Sequence, residues 1–341
     1  MNTNDKNINN LFLYWLTSCL VLVFSIIIVG GFTRLTNSGL SITEWELFKG
    51  ILPPLSYSSW EVYFNQYKKI PQYLLLNYNM SLKEFKIIFY WEYFHRLLAR
   101  VIGLYFLIPL IYFHLTKKIK KDYMNICYLV FFLILLQGTI GWYMVKSGLV
   151  NDVTVSHYRL SIHLSIAFII ISIIFWLIKS IINKNNKTFF NFKKENIPFL
   201  ILIFLIFLQI ILGAFVSGLD AGRIYQTWPL MGQSYFPNDI IIDGYTIIAD
   251  FTNHSLVQFY HRNLAYLIVV YILFLGFYIY KKNIRKLIYP LKLLIFVLLL
   301  QIVLGILTLI SSLNIYLASS HQISSVILVF TAINLYYYQS K

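Results

Sequence analysis

Charge is absent from long stretches of this chain and concentrated in short ones. No Asp, Glu, Lys or Arg stands between Lys6 and Arg34, from Tyr123 to Val145, from Asn196 to Leu219, or from Leu293 to Ser340. Three further stretches, Ile87 to His114, Val155 to Ile178 and Asn253 to Tyr280, carry charge only toward one end. A helix needs about 20 apolar residues to cross a bilayer. The last charge-free stretch is therefore long enough for two crossings joined by a turn at Ser311 to Asn314, and the pattern predicts eight transmembrane helices.

The short basic segments fall at regular places in this pattern. Lys117, Lys118, Lys120 and Lys121 follow the second crossing, Lys184, Lys187, Lys193 and Lys194 the fourth, and Lys281, Lys282, Arg285 and Lys286 the sixth. Lysine and arginine accumulate in cytoplasmic loops, so these three links, and with them both termini, are expected in the cytoplasm. The two long links after the first and fifth crossings then face outward. Both mix Gly and Pro with Trp (Gly39, Trp45, Pro53, Pro54 and Trp60; Gly222, Trp228, Pro229 and Pro237), which suits the membrane interface and makes them candidate lids.

Composition agrees with this assignment. Of 341 residues, 59% are hydrophobic and 12% charged, and the mean hydropathy is +0.69, too apolar for an ordinary soluble domain. The net charge of +15 would point to nucleic acid in a soluble protein, but here its placement makes it a topology signal, and no nucleic-acid partner is expected. The first ten residues lack the Arg-rich character of an organelle transit peptide, and no cleavage site follows. A bacterial cell inner membrane is the expected location. Cys19 and Cys127 both fall within predicted crossings, and there is no C-x-x-C-H motif, so any heme would be held by coordination alone.

The chain also repeats itself. GGFTRLTNSGLSITEW from Gly30 aligns without a gap on GAFVSGLDAGRIYQTW from Gly213, EYFHR at Glu92 to Arg96 on QFYHR at Gln258 to Arg262, and LLQGTIG from Leu135 on LLQIVLG from Leu299. His163 then matches His321. The expectation is an all-α integral membrane protein of two pseudo-symmetric four-helix bundles, residues 1–182 and 183–341. An even number of crossings per unit makes it a parallel repeat.

Four histidines, His95, His163, His261 and His321, lie in the even-numbered crossings, within about 6–13 Å of the outer end at 1.5 Å per residue. An imidazole in hydrocarbon is costly to leave unpaired, and axial imidazoles approach an iron from opposite sides. Two bis-histidine sites follow, His95 with His163 and His261 with His321. Arg96 and Arg262 follow their histidines directly and, with Arg100 and Arg159 near the same boundary, offer guanidinium forks for carboxylates such as heme propionates; the plainer alternative is snorkelling.

Glu92 breaks the symmetry. It precedes His95 by three residues on the same helical face, where the second copy has Gln258. A carboxylate can take a proton or stabilise developing positive charge, and an amide can do neither. The first half therefore reads as catalytic and the second as a cofactor holder. An i,i+4 ion pair of Glu92 with Arg96 is compatible with that role. His114 is expected at a solvated helix end and His157 and His254 at the interface, while the thrice-repeated L-Q-x-x-x-G of Gln137, Gln209 and Gln301 reads as helix packing around small residues.

These motifs together, with ILPPLS from Ile51, YRLSIHL from Tyr158, GLDAGRIYQTWPLM from Gly218, VQFYHR from Val257 and the HQ at His321, resemble heme A synthase over nearly the whole chain. The resemblance implies oxidation of a ring methyl of heme O to a formyl group by successive hydroxylations, giving heme A for cytochrome c oxidase. It implies heme b ligated by His261 and His321, substrate handled at His95 and His163, and Glu92 as the essential carboxylate. The heme O synthase and the oxidase are its natural partners. Some members carry a cysteine pair in an outer loop; this chain is similar to the subgroup without it. Two other classes compete on the residues alone: a diheme b-type cytochrome exchanging electrons with quinone, which predicts equivalent halves, and a transporter, which would need a polar path at mid-membrane.

Overall fold

A computed structural model describes residues 3–44, 49–149, 153–185, 188–237, 239–240 and 250–340. Trp45 lies outside them. Among the described residues there is no strand, and eight helices are long and apolar enough to cross a membrane. They are α1 (Thr3–Leu35), α4 (Leu82–Thr116), α5 (Lys121–Gly148), α6 (His157–Ile182), α7 (Ile197–Gly218), α8 (His254–Lys281), α9 (Arg285–Ile310) and α10 (Ile315–Gln339). Two shorter helices, α2 (Tyr57–Tyr67) and α3 (Pro71–Leu76), lie in the connection between α1 and α4.

The chain forms two compact units, Met1–Asn186 and Lys187–Lys341. In the first, α1 packs on α4, α4 on α5, α5 on α6 and α6 on α1, which closes a ring of four. In the second, α7 packs on α8, α8 on α9, α9 on α10 and α10 on α7. Each unit thus has the same order of neighbours. The helices carrying the histidines, α4 and α6 in one and α8 and α10 in the other, stand diagonally within their own bundle. The predicted turn at Ser311 to Asn314 joins α9 to α10, with Asn314 accepting from the backbone N–H groups of Tyr316 and Leu317 to cap the new helix.

Local chemistry explains how long helices survive their irregular positions. Pro109 lies inside α4 and has no N–H to give to the carbonyl four residues earlier. That carbonyl, on Tyr105, instead accepts a hydrogen bond from the Trp15 indole of α1 at 3.2 Å. In hydrocarbon an unpaired carbonyl would be costly, so the contact both satisfies the Tyr105 carbonyl and ties α1 to α4. Phe12, Trp15, Phe106 and Phe113 cluster around it with ring centres 4.8–5.6 Å apart.

α4 begins at Leu82, earlier than the hydropathy pattern suggests, because Ser81 and Glu84 form a reciprocal capping box. Its extra turns do not simply lengthen the crossing. Phe85 and Phe89 pack edge-on against Trp60 and, with Phe64, Tyr67 and Leu40, form a buried cluster between this helix end and α2. Tyr67 donates to Gln72, whose amide reaches the Asn37 carbonyl at 3.2 Å. The first long connection is therefore a packed cap on the end of its bundle nearest His95.

Candidate functional site

His95 and His163 face one another across the first bundle, their ring centres 6.4 Å apart and their planes at 63°. Imidazole nitrogens bind metals at about 2 Å, so a metal between two of them would set the ring centres roughly 6 Å apart. The pair fits a bis-imidazole site. His261 and His321 occupy the corresponding diagonal helices of the second bundle.

Each histidine lies against a glycine of the adjacent helix. A methyl group added to Gly30 would stand 3.1 Å from His95 Nε2, one on Gly141 3.0 Å from His163 Cε1, one on Gly213 3.1 Å from His261 Cε1, and one on Gly305 2.9 Å from His321 Cε1. Such gaps are tighter than ordinary side-chain contacts, so a larger residue would press on the ring and the glycines create the space that the rings fill. One helical turn before three of these glycines stands a glutamine. Gln137, Gln209 and Gln301 donate from Nε2 to the backbone carbonyls of His163, His261 and His321 at 2.9, 3.0 and 3.0 Å. The L-Q-x-x-x-G repeat is thus more than helix packing around small residues: it cradles the histidines. The sequence signal was its spacing, since Gln and Gly four apart share one helical face.

The third cradle is the most elaborate. His321 Nδ1 lies 3.1 Å from the Gln301 backbone carbonyl, to which it donates as the Nδ1–H tautomer, while Nε2 lies 3.4 Å from the Gln301 amide nitrogen. Ser324 donates to Gln301 Oε1 and so holds the amide in place.

Glu92 is 2% exposed and gripped from three directions. Oε1 pairs with Arg96 at 2.5 Å, and Oε2 accepts from the Ser41 hydroxyl at 2.7 Å and the Ile42 N–H at 2.9 Å. A buried charge needs such compensation. Arg96 turns its other bonds to the Ile42 and Glu44 carbonyls, so both members of the expected i,i+4 pair hold the first connection against α4. In the second unit Gln258 and Arg262 both donate to the Tyr225 carbonyl at 2.9 Å, the position aligned with Ile42. The same grip recurs, with an amide in place of the carboxylate, and Gln258 Oε1 is buried with no partner. Ser41 and Ile42 went unnoticed in the sequence because nothing local marks a loop hydroxyl as a carboxylate's partner.

The remaining polar residues divide by position. Arg100 lines, with Arg96, Glu44, Tyr63 and Tyr93, a cleft of about 20 Å³ beneath the first connection. Arg159 donates to the Ser147 hydroxyl and stacks over the Tyr143 ring. His157 is buried against Tyr158, whereas His254 is exposed at the start of α8 and His114 is exposed with Nδ1 2.7 Å from the Tyr128 hydroxyl. In the second connection Asp239 accepts from Tyr225 and Ser255. Burial alone would raise its carboxyl, but these bonds outweigh it and hold Asp239 below the ordinary carboxylate range.

Residues 13–333 match the model of a family described as cytochrome oxidase assembly protein. The chain belongs to that family. It is 49% identical over 332 residues to the heme A synthase of Pelagibacter ubique, covering 96% of each chain. It is 42% identical over 317 residues to that of Rickettsia bellii, covering 92% of this chain and 94% of the relative. The heme A synthase of Flavobacterium psychrophilum is 40% identical over 334 residues, covering 96% of each. These likenesses run through both units, so the family membership applies to the chain as a whole.

Proposed function

We propose that this protein is a heme A synthase, a membrane oxidoreductase that converts a ring methyl of heme O to the formyl group of heme A for cytochrome c oxidase. The observation that carries the division of labour is the contrast between two aligned clamps on the long connections, Glu92 beside His95 in one and Gln258 beside His261 in the other. The N-terminal unit binds heme O between His95 and His163; the C-terminal unit binds heme b between His261 and His321. Heme b supplies one-electron transfer. Arg96 and Arg262 anchor the connections over the two sites and stand where guanidinium forks could meet propionates as well. Glu92 places two carboxylate oxygens one helical turn from His95, where they would accept a proton from bound substrate.

Cells lacking the protein are expected to accumulate heme O, and cells supplied with it to make heme A, when extracted hemes are separated by chromatography and weighed. Unchanged heme A with loss only of electron flow would instead support the diheme cytochrome. Heme O synthase and cytochrome c oxidase are the partners proposed to deliver substrate and receive product.

The lysine-rich links after α4, α6 and α8 support an orientation with both termini in the cytoplasm, in a bacterial inner membrane. Alkaline phosphatase fused near Lys118 or Lys282 should be inactive and one fused near Trp228 active; the reverse pattern would overturn this orientation.

A further inference from the structure

The four histidine cradles are not equal. Three have a glutamine one turn before the glycine, and the fourth does not. The residue one turn before Gly30 is Ile26, half-buried on α1. The first helix therefore leaves room for the His95 ring, 3.1 Å from where a Gly30 methyl would stand, but offers no side-chain donor to its backbone. The other three histidines have their carbonyls tied across the helix pair at 2.9–3.0 Å.

The consequences for a ligand differ. Partners behind an axial histidine fix its orientation, and losing one typically weakens a metal site about 10–100-fold. His321 has its ring bonded as well as its carbonyl, and His261 Nδ1 lies 3.1 Å from the Gln209 amide. At His163 the ring Nδ1 and the Gln137 Oε1 are each buried without a partner, a donor and an acceptor on residues already joined through the carbonyl. Both histidines of the C-terminal site are thus tied across the helix pair through their carbonyls, and His321 through its ring as well, as a resident cofactor requires. The N-terminal site has one ligand held and one free to withdraw, as a heme that must arrive and leave requires.

We propose that Gln137, Gln209 and Gln301 are positioning residues that hold His163, His261 and His321 as fixed axial ligands, and that Ile26 leaves His95 as the exchangeable ligand through which the N-terminal unit takes up and releases its heme. This rests on the assignment of the four histidines as heme ligands. It predicts that the asymmetry can be moved by single substitutions.

The test measures transfer of heme from the purified full-length protein, loaded with heme O and heme b, to excess apomyoglobin. Chromatography of the transferred hemes distinguishes the two sites, and low-spin electron paramagnetic resonance reports the ligand field. Ile26→Gln should slow heme O loss at least about tenfold, whereas Ile26→Leu should leave it unchanged. Gln137→Ile should speed heme O loss, and Gln209→Leu or Gln301→Leu should speed heme b loss and shift its low-spin signal, by about 10–100-fold in rate. Heme retained at the unaltered site shows that each variant is folded. Unchanged heme O loss in both Ile26→Gln and Gln137→Ile, or unchanged heme b loss and signal in the two C-terminal variants, would overturn the proposal. His95→Ala and His163→Ala separate the two levels of inference. If they also leave heme O loss unchanged, the ligand assignment itself fails; if they release heme O while the cradle variants do nothing, only the positioning role fails.

Discussion

Glu92→Gln is expected to fold, to keep heme b, and to lower heme A formation on the order of 100-fold, the scale of a lost general acid or base. The reason for expecting an intact fold is internal to the molecule. At the aligned position Gln258 donates to the Tyr225 carbonyl beside Arg262, so an amide already serves as the anchor of a long connection in the second unit. In the variant, the new amide can donate to the Ile42 carbonyl in the same manner, while Ser41 and the Ile42 N–H lose a charged acceptor. What an amide would not replace, in the role proposed for Glu92, is a basic oxygen that accepts a proton from substrate. Heme O or a partly oxidised product should therefore accumulate in extracts, with the low-spin heme b spectrum unchanged. Normal heme A production would reduce Glu92 to a clamp on the first connection. Loss of heme b together with heme A would point to misfolding, and Arg96→Lys, which retains a cation opposite Glu92, would then be the variant with which to reexamine the pair.

His261→Ala and His321→Ala are each expected to abolish the bis-imidazole low-spin signal of the C-terminal site. Heme b retention should fall by more than the roughly 10–100-fold typical when only a supporting partner is removed. Each imidazole fills space opened by a glycine on the adjacent helix, so truncation leaves both an empty coordination position and a void. No other histidine is placed to replace them: His254 is exposed at the start of α8, and His157 and His114 belong to the first unit. Optical spectra of the purified variants decide the matter. An unchanged bis-histidine spectrum in both would remove these residues from the site. The same substitutions should leave the His95 and His163 pair in place, because each bundle closes on its own four helices.

Much of this protein follows from features local to its sequence. The number of crossings is set by hydrophobic length, since roughly 20 apolar residues span a bilayer whatever their neighbours, and the eight helices occur where stretches free of charge, or charged only toward one end, predict them. The four histidines stand out because polar rings are expensive in hydrocarbon. The Glu92 and Gln258 difference is visible as soon as the two copies are aligned.

Tertiary structure decided what those residues touch. Which helices stand diagonally, and hence that His95 meets His163 at 6.4 Å, depends on the order of packing around each ring and not on any single segment. The L-Q-x-x-x-G motif reads as packing along one helix; only the adjacent helix shows that its glutamine binds a histidine carbonyl and its glycine admits a histidine ring. The isoleucine at position 26 is unremarkable in an apolar span until three glutamines are seen in the equivalent place. Glu92, likewise, is a carboxylate on a helix face in sequence, and becomes an anchor for Ser41 and Ile42 only when the chain returns over the bundle end. Hydropathy and desolvation act on each segment alone, whereas hydrogen bonds across a bundle join residues tens of positions apart, and their partners exist only once the helices have paired.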